Sequence, residues 1–407
     1  MFNNVFVGLP SLAVIGALTA AYVLLMLFNP ARSSLRNGAR CVARYRQIWG
    51  ILAVFGVVYA GWQTGLRLAL HYILPPDGRP DFQWYRSWFL SDEDRAAIFE
   101  SSLLTSLEGV AGIFNNSITT FPVATLAALL LLLNCGGHFG ILRKVLRKRF
   151  GKWRWIILGF VTLCTFAAII KPSLYVFLPV SVRFLNGLDA VRIAFAIDWL
   201  AFIFEYLFGV LIQIYLILLA YVWIHGLNFT RQHLVDVAIR RFGYVIKWAC
   251  VILLISSAAI DLPRILSIIL PLSDQELPYP AVMNYITTIA RPGMAVILIL
   301  FASVQITLTF HSEDLWSALR HHGRFLVRST WIFGWFLAIA FVHFYLLHIG
   351  NEAIVRGFGE GTAITMIWSY LYPVVGAWIA GWLLASWVCL FKASETGHTR
   401  FQELVRF

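Results

Sequence analysis

The sequence predicts an all-α, polytopic integral membrane protein of about nine transmembrane helices, arranged as pseudo-repeated hairpins with interfacial amphipathic helices. Three observations carry that prediction. The 407 residues are 60% hydrophobic and only 13% charged, with a mean hydropathy of +0.76, whereas soluble domains carry about 25% charged residues. Four times, a basic amphipathic stretch runs directly into an apolar one: the stretches begin at Leu35, Leu142, Leu234 and Leu315, and Trp49, Trp155, Trp248 and Trp331 mark the entries. The basic residues, finally, gather at alternate ends of the apolar runs.

Taken in order, the spans are 10–28, 48–70, 118–135, 154–178, 198–224, 244–262, 284–310, 329–349 and 366–391. A helix rises about 1.5 Å per residue, so some twenty residues cross a hydrocarbon layer about 30 Å thick. Only helices or a closed barrel satisfy their backbone there. Runs such as Leu126–Leu133 lack the alternation of a barrel strand.

The segment before the first span has no charged side chain, which is not the positive start of a cleavable signal. Arg32, Arg36, Arg40, Arg44 and Arg46 follow that span instead. Positive charge is retained in the cytoplasm, so the N-terminus is expected outside and the C-terminus inside. The segments this orientation places inside hold 22 of the 32 Lys and Arg against five acids, a net +17, which leaves −5 for the remainder of a chain whose net charge is +12. A strongly basic soluble protein would suggest nucleic acid; here the sidedness accounts for the charge, and no nucleic-acid partner is expected.

The outer segment, 71–117, opens with Pro75, Pro76 and Pro80 and an aromatic cluster of Phe82, Trp84, Tyr85, Trp88 and Phe89, a candidate partner surface. Ser91 and Asp94 resemble a capping box. The helix that follows places Ala96, Phe99, Leu103, Leu107 and Val110 on one face, the pattern of a helix that lies on the membrane surface or caps the bundle. After the third span, Arg143, Lys144, Arg147, Lys148, Arg149 and Lys152 form the densest basic cluster, with Trp153 and Trp155 beside it. Each cation near an anionic leaflet contributes roughly 1 kcal/mol, so contact with anionic lipids at the cytoplasmic face is expected.

Ionisable groups inside spans are functional candidates by default. Arg67, Lys171, Glu205 and Arg291 lie 17 to 19 residues from the cytoplasmic ends of their spans, or about 25–29 Å along a helix. They form a layer near the outer face, a possible ion-pair or transport site. Lys171-Pro172 and Arg291-Pro292 each set a cation beside a helix-disrupting proline. Glu205, the acid well inside a span, is the expected counter-ion of Arg291 or Lys171. Long side chains snorkelling to the headgroups give the plainer account.

His343 lies near mid-depth without a second histidine at its level, which argues against haem, and His321-His322 reads as a solvated face of a basic helix. Cys41, Cys135, Cys164, Cys250 and Cys389 form no CxxC pair, so neither disulfides nor structural zinc are expected. There is no HExxH or GxxxxGK[ST] motif and no Ser/His/Asp arrangement. No catalytic residue, metal or cofactor is therefore predicted. The leading expectation is a non-catalytic membrane component: a scaffold, anchor or accessory subunit in a bacterial cytoplasmic (inner) membrane. Behind it stand a transporter or channel using the outer charged layer, and an enzyme of lipid or lipid-linked sugar using outer acids such as Asp92 and Asp94.

Overall fold

The structure is a computed structural model, and it describes most of residues 20–65 together with 95–115, 187–227, 229–269, 279–311, 314–358 and 363–394. The described residues are almost all helical, without a strand. Among the described residues three helices are long and apolar enough to cross a membrane, and five segments qualify if each of two bent pairs counts as one span. The predicted spans at 118–135 and 154–178 lie outside the described residues.

The helices are α1 (Arg32–Arg44), α2 (Arg95–Phe114), α3 (Gly187–Ile224), α4 (Arg231–Ser256), α5 (Leu262–Ile269), α6 (Tyr279–Tyr285), α7 (Arg291–Leu300), α8 (Ala302–Phe310), α9 (Leu315–Phe358) and α10 (Ala363–Ser394). Their ends follow local chemistry. Gly226, at φ +60°, terminates α3, where the Leu227 amide donates back to the Val222 carbonyl at 3.0 Å. Thr230 then caps α4 by accepting from the His233 amide at 3.4 Å.

The basic stretches take two forms. In α4 and α9 the basic residues and the apolar run belong to one unbroken helix. In the first unit the chain bends by 82° between α1 and the helix Gln47–Val58. The apolar stripe of α1 (Ala31, Leu35, Gly38, Cys41 and Val42) is buried, and α1 packs along α10. At Gly38 the two backbones come so close that an added Cβ would stand 2.6 Å from the Ser386 nitrogen. The Trp382 indole N–H donates to the Leu35 carbonyl at 2.9 Å, in the same contact.

The centre of the bundle is α8, whose nine residues are all buried although four of them (Ser303, Gln305, Thr307 and Thr309) are polar. It packs against α2, α3, α4 and α9. Around it Phe114, Phe325, Phe333, Phe336 and Trp387 form an aromatic nest with ring centroids 5.0–6.3 Å apart, a range in which edge-to-face pairs are favourable.

Prolines shape the helices by widening a turn. A π-helical turn, Ser257–Asp261, precedes Pro263, and a second, Ile286–Ala290, precedes Pro292. Proline lacks an N–H and crowds the carbonyl four residues back, and a π turn relieves both constraints. The chain therefore stays helical through Arg291-Pro292; the break comes later, at Phe301, where α7 and α8 bend by 44°. The two π turns pack against each other.

Candidate functional site

Arg291 follows the second π turn, and its partner is Glu108 of α2. The Arg291 Nε donates to Oε1 and an Nη to Oε2 of Glu108, both at 2.7 Å. The carboxylate side chain is only 7% exposed and the guanidinium 34%. This paired-fork geometry is the strongest form of such a contact. Arg291 thus has a counter-ion that the sequence reading did not name. Glu205 stands on α3, while its side chain lies outside the described residues, as do Arg67 and Lys171.

Glu108 is positioned because α2 is buried on more than its predicted face. Ser106, Val110, Ala111, Ile113, Phe114 and Asn115 are all buried, and α2 packs on α7, α9 and α10. Gly109 lets it approach Phe344, whose ring atoms would stand 2.9 Å from an added Cβ. The stripe predicted for a membrane-surface helix includes Val110, but the last two turns of α2 are enclosed by other helices. Its predicted start at Ser91 and Asp94 lies outside the described residues, and so do Asp92 and the aromatic cluster Phe82–Phe89.

The end of α2 leaves carbonyls without helical partners inside the bundle, and Gln213 of α3 takes them up. Its amide Nε2 donates to the Ile113 carbonyl at 2.7 Å and the Gly112 carbonyl at 3.2 Å. Gln305 Nε2 of α8 donates to the Gln213 Oε1 at 2.9 Å, and the Tyr206 hydroxyl donates to the Asn115 Oδ1 at 3.3 Å. These amides escaped the sequence reading because only ionisable groups were sought. The available signal was a lone glutamine in each of two apolar runs.

Other interior polar groups are tied in the same way. The Tyr22 hydroxyl lies 2.6 Å from His343 Nε2, while His343 Nδ1 donates to the Ile339 carbonyl at 2.8 Å, so both ring nitrogens are engaged. His321 is exposed as expected, but His322 is buried and bonded to the Ser303 hydroxyl at 2.8 Å. The helical period separates adjacent residues by about 100°, so the two cannot share a solvated face.

At one end of the bundle, Lys392 lies 4.9 and 4.8 Å from the ring centres of Tyr221 and Phe310, with its Nζ 3.3 Å from His311 Nε2. There α3, α8 and α10 all end, so a cation meets the negative poles of three helix dipoles. His225 abuts Tyr221, with centroids 4.3 Å apart. Burial, and then the Lys392 charge, push its pKa below the ordinary 6.5.

Cys41 and Cys389 are buried free thiols and Cys250 an exposed one; Cys135 and Cys164 lie outside the described residues, as do Arg143–Lys152. Among the described residues no cluster of three or more His, Cys, Asp or Glu is arranged to hold a metal. No family model, curated protein or solved structure matches this chain.

Proposed function

We propose that the protein is a non-catalytic multi-pass membrane component, a scaffold or accessory subunit that holds a rigid helical frame in a bacterial cytoplasmic membrane. In this reading the chain has nine spans in pseudo-repeated hairpins, with its N-terminus outside and its C-terminus inside. The carrying observation is how the interior polar groups are used. Glu108, Arg291, Gln213, His322 and His343 are each bonded to another helix or to their own backbone. Polar groups spent on helix-to-helix bonds specify a fixed packing, as in other membrane bundles.

Extraction in mild detergent tests this reading, followed by mass spectrometry of stoichiometric companions and by flux assays on the purified chain in vesicles. A membrane or outer-face protein should be retained, and flux should be absent. A chain that purifies alone and conducts in a Glu108-dependent manner would overturn the proposal.

The transporter reading has one observation in its favour: two touching π turns and a bent span lie beside a buried charge pair. Irregular helices next to charge are a recurrent transport device. It requires Glu108→Gln or Glu205→Gln to abolish transport of a solute. Transport that survives both substitutions would remove it.

A further inference from the structure

Two rows of arginine lie on exposed helix faces at the same end of the bundle. Arg32, Arg36, Arg40 and Arg44 recur every four residues along the exposed side of α1. They stand about 6 Å apart in rise, each turned about 40° from the last. Arg320, Arg324 and Arg328 repeat that spacing on α9 and are exposed too. Neither α1 nor the stretch 315–328 contains an acid. Both rows brace on successive turns of α10: Leu35 and Gly38 meet Trp382 and Ser386, while Phe325 meets Trp387 and Phe391.

Each row also adjoins exposed apolar surface. Val23, Leu24, Leu27 and Phe28 precede the α1 row, with Phe28 78% exposed, and the Arg32 Nη1 reaches the Leu27 carbonyl at 3.4 Å. On α9, Val327 lies within the row and Trp331 just beyond it, 85% and 70% exposed, and Trp331 pairs edge-on with Trp335. At its other end, Arg320 lies 5.8 Å from the ring centre of Trp316. Hydrocarbon-compatible surface, then tryptophan, then cation is the order of a bilayer boundary. The apolar side of α1 is meanwhile occupied by α10, so α1 is not free to insert its own apolar face into lipid.

We infer that the arginine rows of α1 and α9 form a paired binding surface for anionic phospholipid headgroups, held beside each other by α10. A bilayer, rather than an acidic protein, is indicated because both rows continue into exposed aliphatic and aromatic surface that a soluble partner would leave bare. The inference stands apart from the scaffold reading and needs only that the chain resides in a membrane.

The test titrates phosphatidylglycerol or phosphatidylcholine into the full-length protein in neutral detergent and follows thermal unfolding. Phosphatidylglycerol should stabilise wild type, and phosphatidylcholine should not. The quadruple variant R32Q/R36Q/R40Q/R44Q should bind phosphatidylglycerol at least ~10-fold more weakly, as should R320Q/R324Q/R328Q, since each cation near an anionic surface is worth roughly fivefold. The all-lysine versions should retain most of the affinity, which separates lost charge from lost packing. Unchanged affinity in both glutamine variants, equal stabilisation by phosphatidylcholine, or an equal response to inorganic phosphate would each overturn the inference.

Discussion

At the residue scale, the ion pair and the amide that seals α2 carry the interior. Removing one partner of a buried pair strands the other charge. Glu108→Gln should destabilise the detergent-solubilised protein by roughly 2 kcal/mol, less than the ~3–5 kcal/mol of a fully buried pair because Arg291 keeps some access to solvent. The double variant Glu108→Gln/Arg291→Met should recover much of that loss in thermal denaturation; a double variant as weak as the single one would show that the pair is not the cause. Gln213→Leu removes three bonds at once and leaves carbonyls of α2 unpaired, an expected cost of about 2–3 kcal/mol. His225 supplies a pH dependence. Its folded pKa lies below 6.5, so as pH falls below that value the unfolded chain gains a proton that the folded one resists. Stability should fall with acidification, and the decline between about pH 7 and pH 5 should be shallower in His225→Gln. Equal slopes for the two proteins would sink that assignment.

At the element scale, close approach decides where glycine is required. Gly38→Ala would place its Cβ 2.0 Å from the Ser386 hydroxyl and 2.8 Å from its Cα, and the backbone cannot yield cheaply. Part of α1 should separate from α10, at an expected cost of about 1–3 kcal/mol. Gly334 of α9 has nothing within 4 Å of the added atom, so Gly334→Ala should be neutral or stabilising by up to about 1 kcal/mol. Thermal denaturation of the two variants checks the contrast. Much of this was legible in sequence. The 3.6-residue period marked α1, and long apolar runs marked α4, α9 and α10. What periodicity cannot give is the partner of a face. The stripe of α1 reads equally well as facing lipid or a helix, and only the approach of Ser386 to Gly38 decides. Glu108 was hidden for a related reason, because α2 carries enough charge to resemble a surface helix and nothing local reveals what encloses it.

At the scale of the whole molecule, composition fixed the helical membrane class, but the pairing of distant segments was not readable. Arg291 meets Glu108 across 183 residues, and no pattern in either helix encodes that match. One consequence for topology is testable. Because both arginine rows lean on the C-terminal half of α10, single cysteines replacing Arg36 and Arg324 in a background free of other cysteines should react with an impermeant thiol reagent from the same side of sealed vesicles. Labelling from opposite sides would contradict the packing of α1 and α9 on that helix.

The wide turn at Ile286–Ala290 holds one more residue than an ordinary helical turn. Because the surplus residue is carried as a bulge, deleting a single residue there would rewind the turn to regular pitch while the halves on either side kept nearly their present rotational phase. Pro292 would then collide with the tightened backbone before it. One surplus residue thus makes room for a proline inside a membrane segment, and a frame-preserving deletion there would perturb the protein more than most side-chain replacements around it.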